Sequence, residues 1–142
     1  MSGEQAPTHL SVWRALWPVT IAVMILSASQ RSQVAAPGIS NIDKVAHFAV
    51  FGLLGTLVCR FGKGRRGAAW ALAIVSAFGA SDEWHQSFVP GRSSDVMDWI
   101  ADTSGAALAI ALYAGWPAYR RLLETPIGRR RPRPGQRPGL QP

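Results

Sequence analysis

The chain has 142 residues, with 15 basic and 8 acidic side chains and a formal net charge of +7. Charged residues make up only 16% and hydrophobic residues 48%, whereas soluble domains carry about 25% charged residues. This excludes a chain disordered throughout. The single cysteine excludes an intrachain disulfide framework and argues against a Cys-based zinc site.

The positive charge is unevenly placed. Residues 1–119 hold 8 basic and 7 acidic side chains, while residues 120–142 hold seven Arg and one Glu. The basic character is therefore mostly a property of the tail.

Four apolar stretches are read in chain order: residues 10–28, 45–61, 68–80 and 99–118. A helix needs about 20 mainly apolar residues to cross a bilayer, with a range of roughly 17–25. The first, second and fourth meet this alone. The third reaches it if Arg65 and Arg66 snorkel at one end and the helix runs on through Trp84. None has the polar face that a helix of a soluble bundle shows. Pro18 is expected to kink the first helix. Residues 29–41, 62–67 and 87–94 read as connections, the last turning at Pro90-Gly91. Ser27-Ala28-Ser29 offers a small-residue cleavage site, but the preceding region has only Arg14, so an uncleaved first helix is favoured.

The predicted architecture is an all-α polytopic membrane protein with four transmembrane helices. It comprises a cytoplasmic segment (1–9), a membrane domain (10–118) and an Arg/Pro-rich disordered tail (119–142). Basic connections stay cytoplasmic. Arg60, Lys63, Arg65 and Arg66 in the second connection and the seven Arg of the tail therefore agree on one orientation, with both termini cytoplasmic in the inner (plasma) membrane. The bilayer is the first partner, and anionic lipids are the expected partner of the tail. Without interleaved aromatics or a folded module, the tail is not read as binding nucleic acid.

Six of the eight acids, Asp43, Asp82, Glu83, Asp95, Asp98 and Asp102, fall at the outer ends of the second, third and fourth helices. His47, His85, Gln86, Lys44 and Arg92 join them. Ionisable groups at that depth are costly unless paired or facing a wet cavity. Asp95, Asp98 and Asp102 follow i, i+3, i+7 and share one helix face. Asp43 and His47 are i, i+4, as are Asp82 and Gln86, and Glu83 and Gln86 are i, i+3. Gly52, Gly55, Gly105 and Ala109 allow close helix packing around this cluster. Structural roles compete. Ser94 reads as an N-cap of the fourth helix, with Asp95 and Asp98 in its first turn, and Ser40 or Asn41 as caps of the second. Asp43 and Lys44 suit a water boundary, and His85 reads as a packing residue.

Three segments together resemble the VanZ-like family of small bacterial membrane proteins. They are Asp43-Lys44-Val45-Ala46-His47-Phe48; the run Ser81-Asp82-Glu83-Trp84-His85-Gln86-Ser87-Phe88-Val89-Pro90-Gly91-Arg92-Ser93; and Asp98 with Asp102-Thr103-Ser104-Gly105. The likeness covers roughly residues 12–118, and Asp102 stands where the family often has Asn. The resemblance implies four helices with the motifs at one face. It also implies a link to the cell envelope, because the founding member reduces sensitivity to the glycopeptide teicoplanin. It does not imply a reaction.

The expected site faces outward and binds or acts on an envelope molecule, such as a lipid-linked cell-wall precursor. His47, Glu83 and Asp98 are the candidate catalytic groups, with His47 carrying a proton and Glu83 or Asp98 acting as base or orienter. Arg92 is expected to grip a phosphate or carboxylate. Asp43, Lys44, Asp82, Gln86, Asp95 and Asp102 complete the candidate binding set. No cofactor is implied. His47 with two carboxylates has the chemistry for a divalent metal, but the spacing matches no standard metal motif. The alternative is a non-catalytic scaffold or binding protein whose charge pairs are structural. Transport is disfavoured because the inner halves of the helices carry no acid or His to relay a proton. The oligomeric state is open.

Overall fold

The computed structural model describes residues 9–30 and 42–124. Among these there are five helices and no strands: α1 (His9–Ser29), α2 (Ile42–Cys59), α3 (Gly64–Gln86), α4 (Val96–Gly115) and α5 (Pro117–Glu124). The Ser40 or Asn41 cap, residues 31–41 and the tail from 125 onward lie outside the described residues.

At 1.5 Å per residue, the first four helices are ~27–35 Å long, close to the ~30 Å hydrocarbon core of a bilayer. Among the described residues, α2 alone is both long and apolar enough to qualify as a span by length and composition, and α1 contributes an apolar stretch, Arg14–Ser29. The physical reason is visible in α3, which starts on Gly64-Arg65-Arg66 and ends with Asp82 and Glu83 inside its 23 residues.

Local chemistry sets the helix ends. Gly64 takes φ +62 at the start of α3, and Gly91 takes φ +81 in the turn leading to α4, a region open to glycine at little cost. The cap of α4 corrects the sequence reading. Asp95, not Ser94, is the N-cap, its carboxylate accepting from Met97 N–H at 2.8 Å. Asp98 does lie in the first turn. The far end of α4 is a second correction. The helix stops at Gly115 rather than running to 118, because Trp116 is extended and Pro117 starts α5, where a missing N–H is harmless. Residues 119–124, read as tail, are thus helical and tied back to α4 by a hydrogen bond from Tyr113 to Glu124.

Packing centres on α2 and α4, with α3 against both and α1 more lightly attached to α2 and α3. Small residues allow this. A Cβ added at Gly105 would lie 2.0 Å from the Phe48 carbonyl oxygen, and one at Gly55 would lie 3.1 Å from Ala106. The core that follows includes Phe51, Leu54, Val75, Ala106 and Ile110. Large apolar side chains remain exposed on each of the first four helices, among them Trp17 and Val23 on α1, Val45 and Leu53 on α2, Trp70 and Ile74 on α3, and Leu108 on α4.

Candidate functional site

The C-terminal ends of α1 and α3 and the N-terminal ends of α2 and α4 meet at one end of the bundle. Asp82 and Asp102 are fully buried, Gln86 is 1% exposed, and Asp98 and Glu83 are 6% and 7% exposed. Burial of this many acids is tolerated only where partners are supplied.

Three sets of contacts supply them. Lys44 on α2 bridges to α4, with Nζ 2.7 Å from Asp95 Oδ2 and 2.8 Å from Asp98 Oδ1. One turn deeper, His47 Nδ1 lies 2.9 Å from Asp102 Oδ1, and the His47 ring stacks on Phe51. On α3, Asp82 Oδ2 accepts from Ser29 Oγ at 2.8 Å and from Gln86 Nε2 at 3.0 Å. The i, i+4 relation of Asp82 and Gln86 is therefore realised as a bond. Glu83 Oε2 accepts from the Asp95 N–H at 2.8 Å and ties the end of α3 to the cap of α4.

Candidate residues thus come together, with different degrees of engagement. His47, Glu83 and Asp102 each offer one ligand atom, all within 4.8 Å of one another, and so do Asp43, His47 and Asp98. Asp43 is exposed. It lines, with His47, Asp82 and half-buried Arg92, a cavity of about 540 Å³ between α1 and α2. His85 stands apart, its Nε2 buried without a hydrogen-bond partner among the described residues. Sequence reasoning missed Ser29, which it left in a connection. The sequence offers only a hydroxyl at the end of an apolar helix, and the burial of Asp82 that gives it a partner is visible only in the structure.

Lys44 also acts on its exposed partner. Its hydrogen bond, followed by that from Met97 N–H, holds the Asp95 carboxyl below its ordinary value of 3.8. A depressed carboxylate stabilises the fold above the unfolded value and loses that contribution as pH falls through the folded value. Wild type and Asp95→Asn, melted in detergent, should therefore differ by a constant amount from pH 7 to about 4.5 and converge only in more acid solution. A difference that already shrinks between pH 7 and 5 contradicts this.

The fold and site define a class: a helical protein with an apolar outer surface and a buried carboxylate, imidazole and ammonium cluster at one end. The chain belongs to the VanZ/LLP1 family, whose profile matches residues 4–118. It is 35% identical over 108 residues to an uncharacterised protein, C11E3.10, of Schizosaccharomyces pombe. That match covers 73% of this chain and 65% of the relative, so the chain spans somewhat less than two thirds of the relative's length. No solved structure matches it.

Proposed function

We propose that this VanZ-like chain crosses the inner (plasma) membrane four times through α1–α4, with both termini cytoplasmic. Its outward-facing end binds the polar head of an envelope amphiphile. One observation carries the reading, the cavity between α1 and α2. It is lined by Asp43, His47, Asp82 and Arg92 at its polar end and by Ile21, Met24, Ile25, Val50 and Leu53 along its body. A lipid-linked molecule has that polarity. Arg92 would hold its phosphate or carboxylate, bidentate contact being the strong mode for a guanidinium. A second cavity of about 510 Å³, lined by α2, α4 and α5, is almost wholly apolar apart from Arg60, Thr56 and Tyr119 and lacks the groups for such chemistry.

Helix lengths near the bilayer thickness and the exposed apolar side chains support four spans. The basic turn after α2 and the arginines of α5 sit at the helix ends opposite the acids, as a cytoplasmic side requires. Arg120 and Arg121 of α5 lie on the inner-leaflet side in this orientation, where anionic lipids attract basic side chains. Of the three candidate catalytic groups, Asp98 is neutralised by Lys44. The base or orienting role therefore falls to Glu83, with His47 as proton carrier. The scaffold reading draws on the same bridge, since Lys44, Asp95 and Asp98 hold α2 to α4.

Two measurements test the proposal together. A reporter after Pro142 should read cytoplasmic, and one between Val34 and Gly38 external. His47, Glu83, Arg92 and Asp98 should then be replaced one at a time, with membrane level and glycopeptide susceptibility followed in a strain where the parent chain has an effect. Loss of the effect at normal membrane level in the Glu83→Gln and Arg92→Gln variants is expected. Four variants with the parental effect at parental levels would overturn the site, and inverted reporters would overturn its placement.

A further inference from the structure

We propose that His47, Glu83 and Asp102 hold one divalent first-row metal ion, of the Mn²⁺, Fe²⁺ or Zn²⁺ class, between α2, α3 and α4. This goes beyond the amphiphile reading and does not depend on it; with the ion bound, His47 and Glu83 act as ligands in place of the proton-carrier and base roles given above.

The geometry is the first argument. A ring nitrogen of His47 and one carboxylate oxygen each of Glu83 and Asp102 lie within 4.8 Å of one another. The His47–Asp102 separation of 2.9 Å is that of two neighbouring ligands of one ion, since bonds of about 2.1 Å at a right angle place the ligand atoms about 3.0 Å apart. Three helices each contribute one ligand, so the site is assembled by the fold rather than by a local loop.

Unmet bonding is the second and independent argument. Glu83 Oε1 and Asp102 Oδ2 are both buried and have no hydrogen-bond partner among the described residues. Their residues are 7% and 0% exposed. Glu83 spends its other oxygen on the Asp95 N–H, so Oε1 is a lone acceptor in the interior. An orphaned carboxylate oxygen is among the most costly groups to bury.

Charge balance is the third. Asp82, Glu83, Asp98 and Asp102 are all buried. The cations that reach them among the described residues are Lys44, on Asp98, and His47, on Asp102. Lys44 is shared with Asp95. A divalent ion at the deeper trio restores neutrality there while leaving the Lys44 bridge intact. The competing trio of Asp43, His47 and Asp98 is weaker because Lys44 already satisfies Asp98 and Asp43 is exposed. Mixed imidazole and carboxylate ligands suit Mn²⁺, Fe²⁺ and Zn²⁺. Three protein ligands leave positions open for water or a substrate oxygen, as catalytic sites do. His47 also lines the cavity between α1 and α2, which brings a bound phosphate within reach of such an ion.

The test uses the full chain, purified in detergent without a histidine tag and stripped with chelator. It is titrated with Co²⁺ followed by visible absorption and with Mn²⁺ followed by electron paramagnetic resonance. One ion per chain with micromolar or tighter affinity is expected, and the spin-echo spectrum of the Mn²⁺ form should carry the modulation of a single imidazole nitrogen. Glu83→Gln and Asp102→Asn should each weaken binding about 100-fold or more, since loss of a mere outer-shell partner already costs roughly 10–100-fold. Asp43→Asn should leave it within about twofold. Absence of stoichiometric binding to the wild type, binding without imidazole coupling, or full retention in both Glu83→Gln and Asp102→Asn overturns the site. The wild-type spectrum is sufficient even where a variant fails to fold. No phosphate-bearing or lipid-linked ligand is added in any arm, so the result is separate from the fate of the proposed function.

Discussion

Replacing Gly105 with alanine should cost about 3 kcal/mol, the upper part of the range for overpacking a tight contact. The added Cβ would lie 2.0 Å from the Phe48 carbonyl oxygen and 2.9 Å from the Phe48 Cα. Both are backbone atoms of α2, so no side chain can turn away, and α2 and α4 must separate by about 1.5 Å to reach contact distance. That movement passes directly to the polar end, because Lys44 and His47 on α2 bond to Asp98 and Asp102 on α4 at 2.8 and 2.9 Å. The variant should therefore melt well below wild type in detergent, accumulate poorly in membranes and lose whatever the site does. Gly115→Ala is the control, since a Cβ there meets nothing within 4 Å. It should be neutral. A Gly105→Ala protein as stable as wild type would show that the α2–α4 crossing is looser than described.

His47→Leu should destabilise the chelator-treated protein by about 3 kcal/mol, the low end of the range for removing one partner of a buried pair. Asp102 is fully buried, and its Oδ1 has His47 as partner while its Oδ2 has none among the described residues. Removing the imidazole leaves a carboxylate with neither oxygen satisfied. The second substitution makes the point separable from lost ring packing against Phe51. Asp102→Asn keeps the side-chain shape and an acceptor oxygen but removes the charge. Alone it should cost about 1 kcal/mol or less. Added to His47→Leu, it should recover about half of the loss, a coupling of the size expected for contacting residues. If the double variant is as unstable as the sum of the two single ones, burial of the Asp102 charge is not what His47 relieves. The pair also separates stability from function, because Asp102→Asn should fold while losing the metal ion.

Much of this was legible along the chain. The helical class, the four apolar stretches, the convergence of Asp43, His47, Asp82, Glu83, Asp98 and Asp102 at one end, and the close packing through Gly52, Gly55 and Gly105 all follow from spacing and side-chain size. Helical periodicity gives each helix its own polar face, reading the helix ends to a common membrane depth brings those faces to one end, and small residues mark where the helices approach. The family motifs sharpened the same picture. Boundaries were less legible. The fourth helix gave way to α5 at Trp116-Pro117, and the cap moved from Ser94 to Asp95, since either side chain can accept from the first turn.

Partner choice belongs to a different level. Sequence places Lys44, Asp95 and Asp98 at one depth, but only the packed helices assign the ammonium to both carboxylates and leave Glu83 Oε1 without a partner among the described residues. Ser29 reaches Asp82 across 53 positions, and no periodicity within α1 announces it. Local rules act over a few residues along one helix. Which charges neutralise one another depends on distances of a few tenths of an ångström between helices, and those are set by how closely glycine lets one backbone approach the next.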